Sequence, residues 1–383
     1  MKTYAHPRIY IALAASLIGV GLPTMLAAQA TDVAADAEAR ARQAWRLTMH
    51  HAGVPDTGCF HASYPNTQWE KVECAPAPSV RSARPTRTAD DSALRAGAQT
   101  TGNLYDYVAQ APAGEFFSFA LGSFPAVTNV TAERTVNVLF GGYLSDGIPG
   151  PNEYTLQINT NYAYGTSACS GYSYCQAWQQ YFVQTNSAGV PQGAGNSQGN
   201  VKLTNQTSVA IESWLLNYGV DNGSDICPAP YEDYGPDYEG PGDDCVRNSP
   251  LTVMYNGQIP INLLASLQLS GSAVANGKDI ATATYGTEAY AATVNDSITG
   301  IASGWYQTEF NVFGNQNGAQ AVFNKGASLT LNIALDYGSS EVPTCIYPSY
   351  YDGTTGETNN LTLGTTCTVA GGTSPYIQFT ESD

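Results

Sequence analysis

The chain has 383 residues, of which 32 are Asp or Glu and 15 are Lys or Arg, so its formal net charge at pH 7 is −17. An acidic chain repels nucleic-acid phosphates and anionic membrane surfaces, and we therefore expect neither as a partner. All four histidines lie within the first 61 residues, which excludes His-dependent nucleophilic catalysis and His-liganded zinc from the rest of the chain.

Residues 1–30 predict an export signal. A positively charged start precedes an apolar run over residues 9–28, and Ala28 and Ala30 flank a small-residue site that favours cleavage after Ala30. An uncleaved membrane anchor is the alternative, because the run is nearly long enough to span a bilayer. We expect a secreted, extracellular or periplasmic protein that has no membrane contact after signal cleavage.

Residues 31–100 predict a helical leader, a small unit closed by cysteines, and a linker. Residues 31–50 are rich in Ala, Glu and Arg and lack Gly and Pro, which favours a helix. Residues 75–100 are rich in Pro, Ala and Arg without apolar periodicity, which is typical of a linker. Residues 1–95 carry a small excess of basic charge and the rest a large excess of acid. An acid-released pro-segment is therefore one interpretation, beside an ordinary linker.

The eight cysteines indicate an oxidising compartment. They fall as neighbours along the chain, and each neighbouring pair brackets a turn-rich stretch. Local closure is therefore the pairing that we predict, although spacing alone leaves other pairings open. The predicted disulfides are Cys59–Cys74, Cys169–Cys175, Cys227–Cys245 and Cys345–Cys367.

Residues 101–383 predict one all-β domain. Short alternating runs rich in Val, Ile, Tyr, Phe and Thr recur between turns rich in Gly and Asn, which is typical of antiparallel strands. Many strands with almost no helix favour an antiparallel two-sheet β-sandwich or jelly roll of the concanavalin-like kind. We expect this domain to be a monomer.

Residues 231–244, YEDYGPDYEGPGDD, predict an acidic loop. Six carboxylates within one predicted disulfide loop are potential oxygen ligands for Ca²⁺. Their spacing differs from that of an EF-hand, so the sequence favours a solvated loop and no cofactor.

Residues 304–314, GWYQTEFNVFG, predict a strand with one face directed to a ligand. Phe310 shares the core face, whereas Glu309 shares the opposite face with polar and aromatic neighbours. A carboxylate between aromatic walls has a raised pKa and serves as a general acid or base. The candidate residues of this stretch are Trp305, Tyr306, Glu309 and Asn311.

Two further predicted strands also combine polar and aromatic residues on one face. CQAWQQYFV alternates amides with a tryptophan on one face, and SVAIESWLLNYG alternates a carboxylate with a tryptophan. A carboxylate beside an amide suits acyl transfer, because the acid draws a proton from water and the amide N–H stabilises the oxyanion. The candidate residues of these strands are Gln176, Trp178, Gln180, Glu212 and Trp214.

These motifs resemble the glutamic peptidases of the scytalidoglutamic (eqolisin) family, which are secreted acid endopeptidases built on a two-sheet sandwich. CQAWQQYF resembles the strand of the family's catalytic glutamine, and residues 308–333 resemble the region of its glutamate. The resemblance implies that Gln176 donates to the oxyanion and Glu309 activates water. NEYTLQINTN, CQAW and IESWLLNYG also resemble neprosin-like glutamic peptidases, and the C-terminal SPYIQFTES resembles uncharacterised secreted microbial proteins.

Three other interpretations stay open. Exposed Trp and Tyr side chains on a sandwich face are typical of carbohydrate binding, and a glycoside hydrolase would pair Glu309 with Glu212. A cell-surface or matrix protein without a ligand site also fits the abundance of Tyr, Gly and Asn. The polar residues of the three strands also fit a half-solvated sheet with no chemistry. The expected substrate is therefore a polypeptide or a polysaccharide.

Overall fold

The computed structural model is mostly β-strand, with two large antiparallel sheets in a sandwich-like arrangement and one N-terminal helix, as predicted. The chain divides into two compact units, Met1–Ala44 and Trp45–Asp383. The structure describes residues 22–77, 106–140, 143–145, 147–186, 188–189, 202–219, 226–236, 243–347 and 356–383. The predicted signal up to residue 21 and most of the predicted linker lie outside these ranges.

Helix α1 (Leu22–His51) includes the helix that the sequence predicts over residues 31–50. In its last two turns, Trp45 and Met49 are four residues apart, share one face, and are buried against Ala62 and Ala289. The Trp45 indole N–H donates to the carbonyl of Asn66 at 2.7 Å. In the described part of the chain, no helix combines the length and the apolar character that a bilayer crossing requires.

The first large sheet, sheet 1, has nine antiparallel strands. The segment that the sequence assigns to a leader contributes two of them, because residues 58–63 pair with residues 288–293 and residues 70–72 pair with the first of these strands. The Cys59–Cys74 unit is therefore part of the sandwich rather than a separate module. The spatial order is β2 (Glu70–Val72), β1 (Gly58–Ser63), β20 (Glu288–Asn295), β19 (Lys278–Tyr285), β18 (Leu267–Ala273), β4 (Phe119–Thr128), β23 (Ser328–Asp336), β27 (Tyr376–Ser382) and β26 (Thr362–Ala370).

The second large sheet, sheet 2, has ten strands and carries the three stretches that the sequence singles out. Its main path runs β15 (Glu232–Pro236), β16 (Asp243–Asn248), β14 (Thr207–Tyr218), β11 (Gln176–Thr185), β9 (Tyr154–Thr160), β21 (Gln307–Gly314), β3 (Val108–Gln110) and β24 (Thr344–Ile346). Strand β10 (Ala163–Tyr164) pairs with β11, and β17 (Thr252–Tyr255) pairs with β14.

Smaller strand groups complete the fold. The pairs β6 (Leu139–Phe140) with β7 (Tyr143–Leu144) and β12 (Ala188–Gly189) with β13 (Lys202–Leu203) form two short hairpins. A four-stranded sheet contains β25 (Thr358–Asn359), β22 (Gln320–Phe323), β5 (Glu133–Val136) and β8 (Gly150–Pro151).

The core lies between sheets 1 and 2 and is built from the apolar positions of both. Sheet 2 contributes residues such as Ile158, Tyr181 and Phe310, and sheet 1 contributes a run of Leu and Ile from β23. The large rings need glycine opposite them. A Cβ at Gly122 would lie 2.1 Å from the Phe310 ring, and one at Gly271 would lie 2.4 Å from the Tyr181 ring. Close packing therefore fixes the distance between the sheets.

All four predicted disulfides are present. Three of them involve strands at or next to the sheet edges. Cys59 lies in β1 beside the edge strand β2, and Cys245 lies in β16 beside the edge strand β15. Cys345 in β24 and Cys367 in β26 join the remaining edge strand of each sheet. Unpaired edge strands can pair with other chains and cause aggregation. These crosslinks therefore restrain the strands at which aggregation would begin.

We predict that Gly271→Ala destabilises the protein by about 1–3 kcal/mol, because the added methyl group has to displace the Tyr181 ring in a packed core. The measurement is the free energy of unfolding in guanidinium chloride. Gly53→Ala is the matched control, since no atom lies within 4 Å of a Cβ built there. Equal stability of the two variants would contradict the packing described above.

Candidate functional site

The face of sheet 2 that points away from the core is lined with amides and carboxylates. Strand alternation directs Ile158, Tyr181 and Phe310 into the core and their sequence neighbours to the other side. We call this second surface the amide face. Its polar residues include Thr155, Gln157, Asn159, Gln176, Gln180, Gln184, Glu212, Glu309 and Asn311, all buried, and the half-buried Asn248.

Four residues of the amide face lie in one row across four neighbouring strands. Gln180 is directly opposite Glu212 on one side and opposite Asn159 on the other, and Asn159 is opposite Glu309. With strands about 4.8 Å apart, the row spans about 14 Å between the Cα atoms of its two glutamates. The central row therefore has a carboxyl group at each end and two amides between them.

Hydrogen bonds hold one end of the central row in a defined geometry. The Asn159 Nδ2 donates to Glu309 Oε1 at 2.6 Å and to Gln157 Oε1 at 3.3 Å. The Gln180 Nε2 donates to the same Gln157 oxygen at 3.0 Å, and Gln157 Nε2 donates to Thr155 Oγ1 at 2.9 Å. Glu309 is therefore oriented by a connected set of amides that extends to Gln180.

Several buried polar atoms of the amide face have no hydrogen-bond partner among the residues that the structure describes. Leaving such an atom unsatisfied costs about 1–3 kcal/mol, so their accumulation on one face indicates a place for a ligand or for ordered water. The atoms are Asn159 Oδ1, both amide atoms of Gln176, Trp178 Nε1, Gln184 Oε1 and Asn248 Oδ1.

A small cavity lies within the amide face. Its volume is about 20 Å³, which is enough for one water molecule. Its walls include Gln157 and Gln180, so a water molecule there would contact the amides that lead to Glu309. The lining residues are Thr155, Gln157, Gln180, Phe182, Gln184, Asn248, Gln316 and Glu357.

The predicted pair Gln176 and Glu309 shares the amide face, but the strand register keeps the two residues apart. Gln176 pairs with Leu216 and Tyr164, and it precedes Gln180 by four residues, which is about 13 Å along a strand. The glutamine in the row of Glu309 is Gln180. Alternation assigns both glutamines to the same face, and only the pairing of distant strands distinguishes them.

Trp305, predicted as part of the ligand wall, lies instead in the core between the sheets. Its ring centroid is 5.7 Å from that of Phe117 and 5.5 Å from that of Tyr181. Tyr306 packs against the same core, and its backbone N–H donates to Asn161 Oδ1 at 2.7 Å. Strand β21 begins only at Gln307, so the alternation that directs Glu309 does not apply to these two residues.

Trp178 and Trp214 do lie on the amide face, directly opposite each other, but both are fully buried. They form an apolar cluster with Tyr162, Leu216 and Val246. The Trp214 Nε1 donates to Glu212 Oε1 at 2.8 Å, which turns this carboxyl group towards the tryptophans. The cluster is therefore a wall at one end of the face rather than an exposed platform.

Asn311 connects the amide face to a carboxyl pair that the sequence analysis missed. Its Nδ2 donates to Asp106 Oδ1 and, at 2.8 Å, to Glu381 Oε1. Burial raises the pKa of Asp106 to about 6 and the pKa of Glu381 well above its usual range, and the proximity of the two acids raises the second further. The pair therefore keeps a shared proton in mildly acidic solution.

Three other buried carboxyl groups also have raised pKa values. Burial raises the pKa of Glu133 to about 8 and that of Glu153 to about 7, and it raises the pKa of Asp279 well above its usual range. His50 shows the opposite effect. It is buried between the hydroxyl groups of Ser270 and Thr284, and burial lowers its pKa to about 3.

No group of three or more His, Cys, Asp and Glu side chains suited to a metal ion occurs within the described ranges. Of the acidic segment 231–244, strands β15 and β16 form an antiparallel hairpin, and Asp244 Oδ1 accepts a hydrogen bond from the Asn217 backbone at 2.9 Å. Residues 237–242 of the possible Ca²⁺ loop, which include Asp237 and Glu239, lie outside the described residues.

Comparison with family models, with curated proteins and with solved structures finds no match to this chain.

We predict that the thermal unfolding midpoint is highest near pH 4–5 and falls as the pH rises to 8. The pKa values of Asp106, Glu153 and Glu133 are about 6, 7 and 8 in the folded protein, against about 4 in an unfolded chain. The unfolded chain therefore releases these protons first, and stability is lost as the pH rises through the folded values. His50 acts in the opposite direction. Its pKa is lowered to about 3, so the stability that it contributes is lost as the pH falls below about 6.5, but it is one group against three.

Glu133→Gln isolates one of these groups, because a neutral amide replaces a carboxyl that is already neutral in acid. The variant should lose part of the decline in midpoint between pH 5 and pH 8. The exposed Glu341→Gln removes the same charge without a buried acid and should keep the full decline. A wild-type midpoint that rises between pH 5 and pH 8 would contradict the prediction.

Proposed function

We propose that the protein is an acid-active hydrolase of the glutamic peptidase type, with Glu309 as general base and Gln180 as oxyanion donor. The observation that carries the proposal is the central row, in which a buried carboxylate and two amides are held in register on one face. The hydrogen bonds from Gln180 through Gln157 and Asn159 to Glu309 support a shared reaction centre.

The proposed reaction needs only these groups and one water molecule. Glu309 takes a proton from the water, whose oxygen attacks the carbonyl carbon of a peptide bond. The Gln180 N–H₂ donates to the negatively charged oxygen of the tetrahedral intermediate. Glu309 then gives its proton to the leaving nitrogen as the C–N bond breaks, and both products depart.

Acidic conditions suit this mechanism for three physical reasons. An amide donor does not titrate, so Gln180 keeps its role at a pH where a histidine would be charged. The buried acids Asp106, Glu153 and Glu133 are protonated and stabilising in the same range. Protonation of the exposed carboxylates also reduces the repulsion within a chain of net charge −17.

A glycoside hydrolase that pairs Glu309 with Glu212 is less well supported. The two residues stand at opposite ends of the central row, and each carboxyl group is held by a different neighbour, Asn159 or Trp214. The geometry therefore favours acyl transfer over glycosyl transfer.

Glu309→Gln should lower kcat/KM for a denatured protein substrate such as haemoglobin, assayed near pH 3.5, by roughly 10²–10⁴-fold. The change keeps the shape of the side chain and removes its ability to accept a proton. Glu133→Gln, a buried carboxyl outside the amide face, is the matched control and should keep its activity. Equal cleavage by wild type and Glu309→Gln would remove Glu309 from the mechanism.

Two leucine substitutions distinguish the two glutamines. Gln180→Leu should lower kcat by roughly 10²–10³-fold with little change in KM, because the contact of its amide with the substrate forms only as the oxyanion develops. Gln176→Leu, on the same strand and face, should leave kcat within a fewfold of wild type. The reverse result would assign the oxyanion donor to Gln176, as the family resemblance implies, and would refute the role given to Gln180.

A further inference from the structure

The solvent side of sheet 1 carries a regular array of hydroxyl and amide side chains. Along β23 and β27 every second residue is buried in the core, and the residues between them face outwards. We call the outward surface of these two strands and the edge strand β26 the hydroxyl face. The outward residues of β23 and β27 are Ser328, Thr330, Asn332, Ala334, Tyr376, Gln378, Thr380 and Ser382.

The register of the three strands aligns these side chains in rows. One row consists of Ser328, Ser382 and Thr362, and another consists of Asn332, Gln378 and Thr368. Between them, the hydroxyl groups of Thr330 and Thr380 are 3.2 Å apart. Neighbouring members of a row are about 4.8 Å apart, so the face offers closely spaced groups that both donate and accept hydrogen bonds.

The hydroxyl face is uncharged, although the chain contains 47 acidic and basic residues. No Asp, Glu, Lys or Arg occupies the outward positions of β23 from Ser328 to Ala334 or those of β27. The exposed Asp336 marks the end of the array. A ligand of this face therefore gains nothing from charge, and the net charge of −17 disfavours an anionic one.

A groove crosses the edge of the hydroxyl face at a β-bulge. The pairing of β26 with β27 shifts between Leu363 and Cys367, and a groove of about 260 Å³ opens there. Glycine is required at its base, because a Cβ at Gly364 would lie 2.7 Å from the Thr380 carbonyl oxygen. The groove is lined by Gly364, Thr365, Thr366, Thr368, Gln378, Phe379 and Thr380.

An aromatic side chain stands at the other end of the array. Tyr376 is half-buried and lies directly opposite Ala334 on one side and Ala370 on the other. The two alanines leave room beside its ring. An aromatic ring flanked by hydrogen-bonding groups that both donate and accept is the combination that matches the apolar faces and the hydroxyl groups of a sugar.

We propose that the hydroxyl face binds an uncharged polysaccharide, with Tyr376 contacting a sugar ring and the Ser, Thr, Asn and Gln rows contacting its hydroxyl groups. The proposal is independent of the amide face, which belongs to the other sheet. Binding at the hydroxyl face would hold the protein on a neutral glycan surface whether or not the amide face is catalytic.

Affinity electrophoresis of the full chain tests the proposal. The gels contain mixed-linkage β-glucan, glucomannan or xyloglucan as neutral probes and alginate as an anionic probe. At least one neutral probe should retard the wild type, and Tyr376→Ala or Gln378→Leu should weaken that binding roughly tenfold, the size of one lost ring or hydrogen-bond contact. Tyr255→Ala, which removes an exposed tyrosine of β17, and Glu309→Gln should bind like the wild type.

Circular dichroism confirms that each variant is folded before its mobility is compared. The proposal is overturned if no neutral probe retards the wild type, if only alginate does, or if both face variants keep the full retardation. Loss of binding in Tyr255→Ala as well as in Tyr376→Ala would point to a general surface effect and would also overturn it.

Discussion

The architecture depends on a sheet that is buried on both faces while its strands keep a two-residue period. One face of sheet 2 is apolar and packs between the sheets, and the other carries amides and carboxylates. Buried amides require partners, and the strands supply them to one another across the sheet. This requirement links Glu309 to Asn159, Gln157 and Gln180, whereas several other polar atoms of the same face have no partner among the described residues.

The sequence predicts local features well and long-range ones poorly. The alternation in TEFNVFG correctly separates Phe310 from Glu309, and short cysteine spacings correctly predict all four disulfides. The choice between Gln176 and Gln180 depends on how residues 176–185 pair with residues 154–160, which no local pattern encodes. The core position of Trp305 depends on where β21 begins, which the alternation in the sequence does not indicate. The polar alternation of YTLQINTN was the available signal for Gln157 and Asn159.

Asp106 and Glu381 illustrate a further limit. They lie near the two ends of the all-β segment 101–383 and meet only because Asn311 and the strands around it bring them together. Their raised pKa values follow from burial, which a sequence does not report. Together with Glu133 and Glu153 they make proton retention a property of the folded state. An acidic composition, which by itself indicates solubility, here also includes acids that are neutral when folded.

The placement of the disulfides determines which part of the protein would unfold first and how it would aggregate. At the β1–β2, β15–β16 and β24–β26 margins, a covalent bond holds an outer strand or its neighbour in position. Reduction of the disulfides would leave the apolar interior intact at first and would loosen the edge strands. The free backbone N–H and C=O groups of those strands can then form hydrogen bonds with other chains. Intermolecular strand addition, rather than collapse of the interior, is therefore the route to aggregation that this pattern of crosslinks opposes.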